Sequence, residues 1–398
     1  MFIKEVHAKE ILDSRKIPTI EVSIITDAGK STASVPSGTS TGKYEAIELR
    51  NKQGSVQPAI KNIQNIITPR IINKNFKDQQ EIDNLLIKLD GTNNKKRVGA
   101  NAILAISMAV CRAFAQENKT QLYNYLKQIS KTKNKLKMPR PLMLIFEGGK
   151  HAEANSDIQE YMIIPHEKTF KENVKTGKKI YKQIGTVLKK NNFNKMTGME
   201  GAYYSLGNEL SIELVSKVIK KVNPKTKIAI DVAASEFFKD NHYILERKKV
   251  SSTELSEWYE QLLKNFPIAS IEDPFDQDDE NTWKLFNKKQ GGETMIVGDD
   301  FLTTNPSRIK KAIKEKACNA MILKINQIGT ITEAISAAQL AQKAGWKVIV
   351  SHRSGETQDS FIADLAVGIG ADFVKIGAPS QKERMTKYDR LMKIEKEI

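Results

Sequence analysis

Three carboxylates stand at comparable places in this chain. Asp231 follows the apolar run KIAI, Glu272 follows PIASI, and Asp299 comes just after MIV and Gly298. Lys324 follows AMIL, His352 and Arg353 follow VIVS, and Lys375 follows FV. Three carboxylates brought together either bind a hard cation or hold protons between them, although each alone can equally pair with a lysine. Oxygen donors without His or Cys suit Mg²⁺ better than Zn²⁺. Lys324 and Lys375, next to apolar residues, are expected to face the same pocket. A lysine beside a divalent cation and a second lysine has its charged form disfavoured, which makes the amine a usable base near neutral pH. A carboxylate-held metal with a lysine base is equipment for removing a proton α to a carboxylate. In VIVSHRSGETQDS, Val348 to Ser360, the guanidinium of Arg353 beside the Ser354 hydroxyl suits a phosphoryl group; its alternative use is an ion pair at the rim of the fold.

These residues need a scaffold that gathers them. The short apolar runs read as buried parallel strands and the amphipathic stretches between them as helices. From Ile331, for example, Thr330 and Glu333 have capping-box spacing, Ile331, Ala334, Ile335 and Ala338 share a face, and Gly345 can end the helix. Successive strand ends lie 41, 27, 25, 28 and 23 residues apart, which suits one βα unit per step with an insertion in the first. Six polar strand ends converge only if the sheet curls into a barrel, whose C-terminal face is where such folds carry their sites. Earlier in the chain, IPTIEVSIITDAGKSTASV alternates like strands and is followed by the small-residue loop PSGTSTGKYEA. From about Asp78 to Lys127 the pattern is helical, with Ile82, Leu85, Leu86 and Leu89 on one face. The lysine-rich stretch ending in MPRP, with Pro139 and Pro141, marks a boundary: an α+β unit over 1–138 and an α/β barrel over 139–398.

Composition narrows the class. The 398 residues are 40% hydrophobic and 28% charged, as in a soluble globular protein, and the most apolar window, GANAILAISMAVCRAFA, is broken by Asn101 and Arg112, so no membrane span is expected. The N-terminus lacks the apolar core of a signal peptide, and the two cysteines, Cys111 and Cys318, form no CxxC pattern, which makes a reduced, cytoplasmic protein the expectation. A net charge of +16 comes from scattered lysines without interleaved aromatics. That reads as a solvated surface that attracts anionic metabolites, and nucleic acid is not expected as a partner.

Nine ordered motifs then carry a resemblance: ILDSR at Ile11, VPSG and STG within Val35 to Gly42, GANAIL at Gly99, DVAASEF at Asp231, SIEDPFDQDD at Ser270, VGDD at Val297, LKINQIG at Leu323, SHRSGET at Ser351 and GAP at Gly377. They resemble those of enolase, the 2-phosphoglycerate dehydratase family, over nearly the whole chain, and the pairing of a lysine base with Mg²⁺ is that superfamily's established chemistry. The resemblance implies an N-terminal α+β domain capping a TIM-like (βα)8 barrel that opens ββαα, two Mg²⁺ per site, and a dimer or higher homo-oligomer. It further implies that Asp231, Glu272 and Asp299 hold the first Mg²⁺ and that Ser40 helps hold the second. Lys324 would remove the C2 proton and Lys375 stabilise the resulting charge. Glu200 would protonate the departing C3 hydroxyl, assisted by Glu160 and His151, while Ser40, His352, Arg353 and Ser354 would contact the substrate.

The chain departs from the family pattern close to this chemistry, and it reads as a divergent, C-terminally short member. DSRKIPT stands for DSRGNPT, with Lys16 and Ile17; Glu147 precedes Gly148 and Gly149 where the family has Asn; Glu153 and Ala154 replace the GN of HAGN; and GMEGAYYS, with Met199, Ala202, Tyr204 and Ser205, replaces GDEGGFAP. Ile376, Gln381 and Lys382 also break the pattern. Added carboxylates near a site for an anionic substrate disfavour binding unless compensated. Three readings follow: a working enolase; an enolase-like lyase for a related phospho- or phosphono-carboxylate; and a non-catalytic paralogue that binds a macromolecule.

Overall fold

The computed structural model describes residues 1–39, 42–132, 136–152, 156–193 and 196–398. Strands β1 (Phe2–Leu12), β2 (Pro18–Thr26) and β3 (Gly29–Ser34) form an antiparallel meander, and β4 (Lys74–Asn75) pairs with the far edge of β1. The alternation read in β2 and β3 is there, with Ile20, Val22 and Ile24 buried. The long central strand β1 was not expected: FIKEVHAKEIL puts charge on the exposed face of a strand whose other face is largely half-buried, which weakens the hydrophobic signal. Its turn rests on Asp13, whose Oδ1 accepts the backbone N–H groups of Arg15 at 2.8 Å and Ile17 at 3.0 Å. Lys16 sits there with φ 64°, a left-handed conformation natural to the glycine that the family pattern has.

Helices fill the rest of this part. Gln79–Asp90 is capped by Asp78, which accepts the Glu81 N–H, and ends at Gly91 with φ 68°. Ala100–Glu117, the most apolar window, packs against β2 and β3 on one side and the barrel's helices on the other, and is therefore buried almost all round. No helix of the described residues is long and apolar enough to cross a membrane.

Eight strands form the barrel: β5 (Arg140–Glu147), β6 (Glu160–Ile164), β7 (Lys227–Asp231), β8 (Ile268–Glu272), β9 (Met295–Gly298), β10 (Ala320–Leu323), β11 (Lys347–Ser351) and β12 (Phe373–Lys375). β12 pairs with β5 to close the ring, and β6 runs antiparallel to both its neighbours. Two helices, Phe170–Lys190 and Asn208–Val222, follow β6, so the order is ββαα and then alternating βα units. All six strands inferred from the sequence are present, and a small hairpin sheet over residues 238–250 is the insertion in the long first interval. Pro141 does not end regular structure as read from MPRP. It lies at the second position of β5, where a missing N–H is tolerated. The barrel interior is packed with small and branched residues such as Ala229, Val297, Ala320, Ile322 and Ile349, while the larger apolar side chains fill the layer between strands and helices.

Candidate active site

Strand polarity gathers the site. β7, β8 and β12 end on Asp231, Glu272 and Lys375, and Asp299 and Lys324 come directly after β9 and β10. Because β6 is antiparallel, it begins at this same end, and its first residue Glu160 is in register with Glu147 on β5 and Asp231 on β7. The resulting narrow cleft is lined by Lys324, Lys375, Glu160, Glu200, His151 and the Ser351–Ser354 loop, among others.

On one side Lys375 sits at the centre of the carboxylates. Its Nζ lies 2.8 Å from Asp231 Oδ2, from Glu272 Oε1 and from Glu160 Oε2. Lys324 pairs with Asp299, whose other oxygen accepts from Gln327 at 2.9 Å. The ammoniums thus occupy the middle of the predicted ligand set. Burial opposes the charge on Lys324, yet Asp299 holds its pKa above the ordinary range; burial likewise opposes Lys375, and Asp231, Glu160 and Glu272 hold it well above. This is the reverse of the lowered lysine expected beside a metal, and the reason is that carboxylates are the only counter-charges around the amines here. Burial and then Asp231 push Glu272 well up, and burial also raises Asp231. Burial, which disfavours the ionised form of Asp231 and Glu272 even beside Lys375, is opposed most strongly by a hard divalent cation, and the oxygen donors of the expected set fit one. Among the described residues, the groups of three whose ligand atoms all lie within 4.8 Å of one another are His151–Glu160–Glu200 and Asp273–Asp299–Asp300; the expected triad of Asp231, Glu272 and Asp299 is not drawn together that closely, and Asp299 belongs to the neighbouring acidic cluster. Ser40 and the departures Glu153 and Ala154 lie outside the described residues.

The rest of the lining comes from a turn and a loop. His151 ends the short turn after β5, and Glu200 lies on the loop between the paired helices. His151 Nδ1 is 3.4 Å from Glu160 and 3.7 Å from Glu200, and His352 Nε2 is 3.0 Å from Glu200 Oε2. Burial disfavours charge on every one of them. Even so, Glu200 and Glu160 raise the His151 pKa, and His352 with His151 hold Glu200 well below the carboxylate range. For His352 burial wins and its pKa falls.

Three departures can be placed here. Glu147 is fully buried and aims at the backbone of the Glu200 loop, accepting the N–H of Glu200 at 3.1 Å and of Ala202 at 2.8 Å. Burial, and then the nearby Glu200, push its pKa up to about 8, so at neutral pH it holds a proton and adds no full charge to the site. Ala202 needs no glycine, because the loop's positive φ of 83° falls on Gly201. Met199 lines a separate, more open pocket with Arg15 and Thr39, its sulfur 3.3 Å from Thr39 Oγ1.

Arg353 is held bidentately by Glu45 at 2.9 and 3.2 Å and by Asn326 Oδ1 at 2.9 Å, so the rim ion pair is made in this structure. Ser354 Oγ accepts the Thr39 N–H at 2.8 Å, which fastens the N-terminal loop over the cleft. Sequence reasoning missed Gln159, which lines the cleft, Glu45, and Arg384 of the final helix, Lys382–Ile394. Gln159 was detectable as the neighbour of Glu160; the other two are brought in only by tertiary contacts.

Family models match both parts of the chain: one described as the enolase N-terminal domain matches residues 3–126, and one described as the enolase C-terminal TIM barrel domain matches residues 135–398.

Proposed function

The chain belongs to the enolase family, and on that premise we propose that this lyase dehydrates 2-phosphoglycerate to phosphoenolpyruvate. The observation that carries the reading is one cleft that brings the lysine–carboxylate pairs together with the His151–Glu200–His352 group, with Glu160 in contact with both. A reaction that takes a proton from one carbon and expels hydroxide from the next needs a base and an acid on opposite sides of one small molecule.

In this reading residues 1–138 cap a catalytic barrel of residues 139–398. Asp231, Glu272 and Asp299 would hold one Mg²⁺ and Ser40 would help hold the second; bound there, the metal supplies Lewis-acid charge for the substrate carboxylate. Lys324 would accept the C2 proton as the neutral amine, having first given up the proton of its present ammonium to solvent once Asp299 is engaged by the metal and no longer pins that charge. Lys375 faces the charge that develops on the carboxylate. Glu200 delivers a proton to the C3 hydroxyl. It is ionised in the free site, and the approach of a multiply charged anion raises its affinity for a proton, with His151 beside it as the proton-rich partner. Arg353 and Ser354 receive the phosphate, for which Glu45 must share or release the guanidinium. Assembly as a homo-oligomer and a cytoplasmic location are part of the same reading.

A second reading, a related phospho- or phosphono-carboxylate as substrate, is favoured by Met199, a thioether beside the proposed acid Glu200 in the chain where the family has a carboxylate. The test is formation of phosphoenolpyruvate from 2-phosphoglycerate, followed by ultraviolet absorbance with and without Mg²⁺. Mg²⁺-dependent turnover that falls at least ~10²-fold in Lys324→Ala supports the first reading. Mg²⁺ binding without turnover would shift the assignment to the second. Loss of both binding and turnover would leave the non-catalytic one.

A further inference from the structure

The final helix places a fully buried guanidinium, that of Arg384, behind the substrate loop, and among the described residues no carboxylate pairs with it. Its contacts are with the loop itself. Nη1 lies 2.6 Å from His352 Nδ1 and donates to the Arg353 carbonyl at 2.7 Å, and Nη2 donates to the Ser354 carbonyl at 2.6 Å. Three residues on, Lys387 repeats the device, donating to the Thr357 carbonyl at 2.8 Å and pairing with Glu356 at 2.9 Å. Gly377 leaves the room for this packing, since a Cβ there would come within 2.8 Å of the His352 ring.

Valence then decides the state of the imidazole. An arginine in a protein is always protonated and can only donate. The ring nitrogen facing it must therefore offer a lone pair, which leaves the single ring proton on the other nitrogen. That other nitrogen, Nε2, lies 3.0 Å from Glu200 Oε2. We infer that Arg384 is a positioning residue that holds His352 as the neutral Nε2–H tautomer, with that N–H on the side of Glu200 Oε2, which leaves Oε1, the oxygen nearer His151, to carry the transferable proton. Glu200 Oε1 lies 3.7 Å from His151 Nδ1. The charged groups facing His352 are Glu200 from the loop, Glu160 from β6 and Arg384 from the final helix. Burial disfavours the imidazolium, Glu200 and Glu160 favour it, and Arg384 opposes it; the balance lies with the neutral ring, in keeping with this assignment. The catalytic meaning rests on Glu200 being the acid; the tautomer does not.

The test is long-range ¹H–¹⁵N NMR of the full chain with ¹⁵N-labelled histidine and no substrate, with the His352 signals assigned by their absence in His352→Gln. In the parent protein His352 is expected to show Nε2–H and no titration between about pH 6 and pH 8, the range in which a free histidine ionises. In Arg384→Met the ring is released to a mixture of tautomers that titrates in that range; if this variant does not fold, Arg384→Lys, which cannot reach the ring nitrogen and both carbonyls together, serves in its place. An Nδ1–H ring or an imidazolium in the parent protein would overturn the inference, as would a variant whose ring stays locked as Nε2–H. If 2-phosphoglycerate proves to be a substrate, the released ring is expected to lower kcat by about tenfold or more with KM within about twofold, and to move the acid limb of the pH profile. Failure of turnover in the parent protein would count against the proposed reaction alone.

Discussion

Replacing Glu147 by glutamine removes a titrating group while keeping its size and an acceptor for the Glu200 loop. In the parent protein burial and the neighbouring Glu200 raise its pKa from 4.5 to about 8. A group raised in the folded state binds protons more tightly there than in the unfolded chain. Its stabilising contribution is therefore full below about pH 4.5 and is lost as pH climbs through about 8. At ~1.4 kcal/mol per pH unit, a rise of that size makes the parent lose on the order of 2–5 kcal/mol across the window relative to a variant with nothing to titrate there. The slopes due to other buried acids, such as Asp273 and Glu272, are common to both proteins and cancel in the comparison. The assay is the urea midpoint of both proteins at intervals from about pH 5 to about pH 9, and Glu147→Gln should gain steadily on the parent as pH rises. Midpoints that run parallel across the range would refute the raised carboxyl. Glu147→Ala serves as the geometric control: it strands two buried N–H groups, at about 1–3 kcal/mol each, and should destabilise at every pH.

Added Mg²⁺ at ~100 times its dissociation constant should stabilise the protein by about 2.7 kcal/mol, and Asp231→Asn should abolish most of that gain; an equal gain in the variant would remove Asp231 from the ligand set. Because Glu272 is raised well above its ordinary pKa, metal binding should release protons and weaken as pH falls, which calorimetry in buffers of different ionisation enthalpy would detect. Asp359 takes Arg112 bidentately at 2.6 Å for both bonds and also accepts the Ser34 N–H at 2.9 Å, so Asp359→Ala should cost about 3–5 kcal/mol by thermal or urea unfolding. Burial works against that carboxylate, but Arg112 outweighs it and lowers its pKa, so its contribution is present above about pH 4 and is lost as pH falls through the depressed value. Lys16→Gly should stabilise the β1–β2 turn by up to ~1 kcal/mol by relieving its left-handed backbone, and a loss of stability would mean that the lysine side chain compensates.

The sequence alone determined the barrel and most of its equipment. Parallel strands buried on both faces must be written as uninterrupted apolar runs, so each one announces itself, and the polar residue that ends it is visible in the same glance. That logic located Asp231, Glu272, Asp299, Lys324, His352, Arg353 and Lys375 at one end of the barrel, while Glu160, Glu200 and His151, which lie outside the nine motifs on an antiparallel strand, a loop and a turn with no periodic signal, were supplied only by the family resemblance. Tertiary structure decided what those residues face. Nothing local to Glu147 says whether it looks into the cleft or at the amides of a loop more than fifty residues away, and so whether it carries a charge. Nothing local to Arg353 reveals that Glu45, from the N-terminal part, reaches its guanidinium, nor to Arg384 that a helix surface is in truth the back wall of the site. The physical reason is the same in each case: backbone periodicity is fixed by neighbours in the chain, whereas protonation and pairing are fixed by neighbours in space.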